Sequence, residues 1–128
     1  MILALLPHSD WALLALRLAV AGIFLAHGWP KLKNLKTTQQ NFGMMGFKPG
    51  WLWGTFIAVL ETFGAALLAL GVGTQVLAVL FAGEMLVAGI WKKKQGQGLV
   101  NGYELDLILM AANLALATMG GGELALWF

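Results

Sequence analysis

The sequence predicts an all-α integral membrane protein: a four-helix antiparallel bundle with a short interfacial helix between helices 1 and 2. Three observations carry that reading. Hydrophobic residues make up 59% of the chain and charged residues only 11%, whereas a soluble domain carries about 25% charged residues. Four apolar stretches, at about 11–29, 51–70, 74–91 and 103–119, each approach the ~20 helical residues that cross a hydrocarbon core of ~30 Å. All seven lysines fall on two of the connections, as expected where alternate loops lie on opposite sides of a bilayer.

The elements follow in order, within one expected domain spanning residues 1–128. Met1 to Leu6 are expected in the interface, with Pro7 as a breaker and Ser9–Asp10 as a helix N-cap. No Lys or Arg precedes the first apolar run and Arg17 interrupts it, so this helix is expected to be retained and not cleaved as a signal peptide. Trp11 and Trp29 bracket helix 1 at the depth of the interfacial aromatic belts. Residues 30–50 carry Lys31, Lys33, Lys36 and Lys48 beside Phe42, Met44, Met45 and Phe47. That mixture predicts a short amphipathic helix at the interface.

Helix 2 carries Glu61 near its middle and ends at Gly71–Gly73. Helix 3 carries Glu84 and ends at Lys92, Lys93 and Lys94. Helix 4 opens with Glu104 and Asp106, carries Asn113 midway and stops at Gly120–Gly122, leaving a short apolar tail expected at the interface. Connections this short favour antiparallel neighbours. Small residues at helical spacing, such as Gly22 with Ala26 and Gly54 with Ala58, allow close packing in lipid and permit a homo-oligomer. The lysine bias predicts both lysine loops on the cytoplasmic side of an inner membrane, with both termini on the other side.

The intramembrane charges are the candidates for function, because an ionisable group in a bilayer must face the bundle interior and find a partner. Measured from the lysine end of each span at 1.5 Å per residue, Arg17 lies about 18 Å deep and Glu61 about 15 Å deep. The two are expected to pair, with Arg17 also offered to Glu84. Glu84, about 10 Å deep, has no second deep cation and is a candidate proton donor or acceptor. His27, Glu104 and Asp106 are expected to gather near the lysines as a mouth. Each has a bland reading too: a helix register pair for Arg17–Glu61, a cap for His27, macrodipole charges for Glu104 and Asp106, interhelical bonding for Asn113, and topology for the lysines.

Composition excludes some chemistry. With no cysteine, the chain has no disulfide, thiol redox centre or cysteine-ligated cluster. Its two histidines, His8 and His27, belong to opposite membrane faces, so one copy cannot ligate haem through both. His27 with Met44 or Met45 would suit copper(I), but methionines on an interfacial segment more often pack, and no metal site is assigned. Transport is disfavoured, because no pair of broken half-helices marks a site. No nucleic-acid partner is expected; membrane lipid is.

The residues also carry a resemblance. LRLxxAGxFLxHGxxKL at 16–32, LExxGAxLLxLGxxT at 60–74 and GYE at 102–104 resemble, in order and spacing, signatures of the DoxX family of small four-helix membrane proteins. Glu84 stands where the third helix of that family often has a polar or acidic residue. The likeness runs over about residues 13–120; the closing GGGELALWF keeps the family's glycines and lacks its Ser-Leu-Asp-like tail.

The resemblance implies the four-helix fold and membrane redox work, since the family takes its name from proteins associated with thiosulfate:quinone oxidoreductase and quinol-oxidase systems. It therefore raises a first reading, a quinone-interacting subunit of a membrane oxidoreductase with a partner subunit supplying the electrons. Glu61, Glu84 and His27 would exchange protons; Trp29, Phe63 or Trp91 would stack on the ring; Arg17 would offset negative charge on the reduced ring. His27, Glu61, Glu84, Glu104, Arg17 and Trp29 are the expected cofactor-binding residues, and Glu61, Glu84 and His27 the expected catalytic ones. The wider superfamily also implies a second reading: a non-enzymatic scaffold or assembly factor whose polar core only fixes the fold.

Overall fold

The structure is a computed structural model that describes residues 8–126. Four of its helices are long and apolar enough to cross a membrane, and no strand occurs among the described residues. The helices are α1 Ser9–Lys33, the short α2 Leu35–Met44, α3 Gly50–Leu70, α4 Thr74–Lys94 and α5 Glu104–Met119. This is the expected all-α membrane bundle. The interfacial placement expected for Met1 to Leu6 lies outside the described residues.

Two hairpins make the bundle. α1 packs on α3, and α4 packs along α5. α2 lies across the first half of α3, where Gln39 Nε2 donates to Thr55 Oγ1 at 2.8 Å. Glycine allows that approach: a Cβ on Gly54 would stand 2.9 Å from Gln39 Cα. α3 and α4 follow one another in sequence, yet approach closely only beside their connecting turn.

That turn explains why α3 stops. Gly71 has φ +76°, a left-handed conformation that glycine adopts without a Cβ penalty. Its N–H donates to Leu68 O at 3.0 Å, and Val72 N–H reaches back to Leu67 O at 2.9 Å. Those two bonds are a Schellman cap, which satisfies carbonyls otherwise left open at the helix end.

The apolar core sits midway along the bundle. Phe24 of α1 stacks on Phe81 of α4 with ring centroids 4.0 Å apart, and Val20, Ala65, Leu68, Ala78 and Leu116 fill in around them. This layer separates two polar regions, one at each end of the molecule.

Three expectations are corrected here. Helix 1 does not end at Trp29: it continues to Lys33 with Pro30 inside it. Ser9–Asp10 do not form the N-cap: the helix starts at Ser9 without a side-chain cap, and Asp10 Oδ1 accepts the Glu123 N–H at 3.0 Å. Asn113 does not bond a neighbouring helix, because its Nδ2 donates to Leu109 O within α5 at 2.8 Å.

Candidate functional site

The polar region at the end opposite the lysines belongs to Arg17. Its side chain is 2% exposed, so its donors need partners in place of water. Nη1 donates to Gly121 O at 2.7 Å and Nη2 to Leu124 O at 3.4 Å. The C-terminal segment folds back over this end to supply those carbonyls. Leu126 N–H donates to Leu70 O at 3.2 Å, and Asp10 holds the Glu123 N–H.

The expected Arg17–Glu61 pair is therefore absent. The two residues lie at different depths because α1 does not end at Trp29. With α1 running to Lys33, Arg17 lies about 24 Å from the lysine end, whereas Glu61 lies about 16 Å from its own end of α3. The helix register agrees. Glu61 sits against Gly28, whose added Cβ would fall 2.5 Å from Glu61 Cβ; Arg17 is eleven residues earlier on α1, about 16 Å away along the axis.

Glu61 pairs with Lys31 instead. Lys31 Nζ donates to Glu61 Oε1 at 2.5 Å, from a side chain 31% exposed to one 3% exposed. Two local features make this contact. Leu60–Gly64 form one π-helical turn inside α3, which locally widens the helix and re-aims its side chains; such bulges recur at functional sites. Gly28 then lets α1 sit directly on that turn, which places the last turns of α1 beside Glu61. Thr38 of α2 shares its hydroxyl proton between Lys31 O and Asn34 O, both at 3.1 Å, and so anchors α2 to the same stretch.

Across from this pair is a second. Lys92 Nζ of α4 lies 2.8 Å from Asp106 Oδ2 of α5, and the Asp106 side chain is 8% exposed. Glu84 lies between the pairs, within hydrogen-bonding reach of Glu61. Its Oε1 is buried and has no partner among the described residues.

These groups face one cavity of about 830 Å³, lined by α1, α2, α3, α4 and α5. Its polar residues include His27, Lys31, Glu61, Glu84, Lys92 and Asp106. Its walls are apolar and aromatic, with Phe24 toward the core and Phe42, Trp53, Phe56 and Trp91 nearer the lysine end. Trp91 Nε1 donates to Met45 O at 3.1 Å, tying α4 to the end of α2 on that side. A concave, mostly apolar site with a few convergent polar groups is the usual form of a small-molecule site.

Of the residues singled out from sequence, Glu61, Glu84 and His27 come together on this cavity, as do Asp106 and Trp91. Arg17 serves the opposite end. Trp29 lines a separate open groove on the outer face of α1 with Leu25 and Pro30. Phe63 is 57% exposed on the bundle exterior. Glu104 is exposed and accepts the Asn101 N–H at 3.3 Å, a bond within the turn that leads into α5. The two cations of the site, Lys31 and Lys92, were read from sequence as topology markers only. One signal could have identified Lys31: it follows His27 by four residues in the same helix, and side chains at that spacing share a face.

Comparison with known proteins places the chain in a family. The DoxX family model matches residues 12–94, and the chain belongs to that family. A protein of Bacillus subtilis (strain 168) named "Putative oxidoreductase CatD" is 34% identical over 113 residues, covering 88% of this chain and 82% of its own. No solved structure matches the chain.

Proposed function

We propose that the cavity holds the headgroup of a lipid quinone and that the protein is a quinone-handling subunit of a membrane oxidoreductase system. One observation carries this reading. Two lysine–carboxylate pairs and Glu84, one oxygen of which has no partner among the described residues, face an aromatic-walled cavity inside a membrane bundle. The volume of about 830 Å³ suits a single ring with substituents, since small-molecule sites fall in the range of roughly 300–1,000 Å³. The oxidoreductase name of the Bacillus relative supports the redox class.

A bound quinone supplies two-electron, two-proton carrier chemistry. The chain's own residues do the rest. Lys31 and Lys92 present N–H donors to ring oxygens, and Phe42, Trp53 and Trp91 offer faces for stacking. Glu61 and Glu84 present two neighbouring carboxyl groups that exchange protons with the ring oxygens. His27, on the exposed surface of α1 beside the cavity, exchanges protons with the aqueous side. Because the chain has no cysteine, a partner subunit provides the redox centre. The lysine end faces the cytoplasm by the positive-inside rule, which puts both termini outside, in a cell inner membrane.

The test is native isolation from membranes, followed by solvent extraction and chromatography for quinone and by identification of co-purifying proteins. The expected result is quinone in the wild type, lost from Glu61→Gln and Glu84→Gln variants that still accumulate. Absence of both quinone and a redox partner from the wild type would overturn the reading. A scaffold role is favoured by the lysine end, where α1 closes on the exposed Lys33 and α2 presents Lys36 and the 81% exposed Met44. It predicts that the same two substitutions abolish accumulation itself.

A further inference from the structure

The way into the cavity is not given by its polar residues. We propose that the seam between α3 and α4 is a lateral portal through which a lipid-soluble amphiphile reaches the cavity from the bilayer, with Gly83 as its threshold. The proposal deepens the functional reading above and rests on its choice of cavity.

Three observations converge on this seam. First, α3 and α4 are joined by a short turn and their backbones come close only over the part of α3 beside it, so they diverge toward the lysine end, bridged there by the neighbouring side chains of Glu61 and Glu84. Second, cavity-lining residues of both helices keep accessible surface: Trp53 is 44% and Phe56 43% exposed on α3, and Leu80 is 42% and Val87 50% exposed on α4. An accessible wall shows that the cavity is not sealed, and an opening between two membrane-crossing helices meets acyl chains. Third, two neighbouring pairs are packed more closely: α4 runs along α5 and α1 on α3, and the Trp91–Met45 bond ties α4 to the end of α2.

Gly83 lies in this seam, lines the cavity and has nothing within 4 Å of where a Cβ would stand. Glycine within a helix is destabilising relative to alanine, and packing gives no reason for it here. The contrast is with Gly28 and Gly54, where a Cβ would strike a neighbouring helix. Gly22 is equally open, but it lies on the outer groove of α1, which makes it the matched control.

The chemistry defines the traveller. Charged solutes do not cross the hydrocarbon to such a mouth, so it has a small polar head and an apolar tail. The head meets Lys31, Glu61 and Glu84, while the tail remains among the seam's Trp53, Phe56 and Leu80.

The chain has no native cysteine, so one introduced thiol reports access cleanly. Ala88→Cys places it on the cavity wall. The full chain in phosphatidylcholine vesicles is treated with a membrane-partitioning N-alkyl maleimide or with a water-soluble sulfonated methanethiosulfonate. Adding Gly83→Leu is expected to slow the alkyl maleimide about tenfold, and adding Gly22→Leu to leave it unchanged. An unchanged rate with Gly83→Leu overturns the portal. A nitroxide on Ala88→Cys alone covers the case in which the double variant misfolds. It should be relaxed more strongly by membrane-dissolved oxygen than by a water-soluble nickel chelate, and the reverse order overturns the portal. Neither readout involves quinone, so the portal and the quinone reading fail separately.

Discussion

Lys31 Nζ lies 2.5 Å from Glu61 Oε1, joining the last turns of α1 to the π turn of α3. The carboxylate is buried and the ammonium is about a third exposed, so the pair is asymmetric: losing the lysine strands a buried charge, while losing both partners strands nothing. Removing one member of a fully buried pair costs about 3–5 kcal/mol, and partial exposure of the lysine reduces that. Lys31→Gln is expected to destabilise the protein by about 2 kcal/mol, with Lys31→Gln/Glu61→Gln recovering at least half. Unfolding in mixed detergent micelles, analysed as a double-mutant cycle, measures this. Additive losses would show that the pair carries no coupling.

Gly28 is the backbone counterpart of that pair. An added Cβ would stand 2.6 Å from the Glu61 carbonyl carbon and 2.8 Å from the Thr62 nitrogen. Backbone atoms in a helix cannot step aside as a flexible side chain can, so Gly28→Ala must push α1 away from α3. Overpacking of this kind costs about 1–3 kcal/mol. Thermal unfolding should show the loss for Gly28→Ala and none for Gly22→Ala, where a Cβ meets nothing.

The fold was legible because length, apolarity and lysine placement are properties of whole segments, and each survives an error of a few residues at an end. The site was only half legible. Glu61, Glu84, His27 and Asp106 could be singled out because a carboxylate or imidazole in an apolar run is anomalous wherever the run ends. Pairing them needed register, and register hung on a single boundary. Reading Pro30 as a stop shortened α1 by a turn and aligned Arg17 with Glu61. The π turn at Leu60–Gly64 left no sequence signal, and neither did the return of the C-terminal segment onto Arg17. Both depend on tertiary packing that periodicity does not encode.

Glu104 and Glu84 provide an internal contrast. Both are acidic, in or beside membrane-crossing helices, but Glu104 is exposed and bonds only the turn before α5, whereas Glu84 faces the cavity with one oxygen unpartnered. Glu104→Gln should change stability by no more than about 0.5 kcal/mol, as surface substitutions usually do, and leave quinone content intact. Glu84→Gln should accumulate normally, because an amide fits the same space, and should lose the bound quinone. Quinone content per purified chain distinguishes them. Equal retention in both would remove Glu84 from the site.

Arg17 makes a prediction about the far end of the molecule. Its two hydrogen bonds run to main-chain carbonyls of the C-terminal segment, so its removal should release that segment and leave the cavity intact. Of the two, the 2.7 Å bond to Gly121 O is the stronger, and hydrogen bonds from charged groups contribute about 1.5–3 kcal/mol each. Arg17→Met is expected to cost about 2 kcal/mol in stability and to raise amide exchange at residues 121–126. Lys31 and Lys92 retain their partners, so quinone content per folded chain should be unchanged. Arg17→Lys should restore little, because one ammonium on a shorter, non-planar head cannot match the fork of a guanidinium. Hydrogen exchange read by mass spectrometry of the C-terminal peptide decides the matter. Unchanged exchange in Arg17→Met would mean that the Asp10–Glu123 and Leu70–Leu126 bonds hold the segment alone, and that the buried arginine has another role.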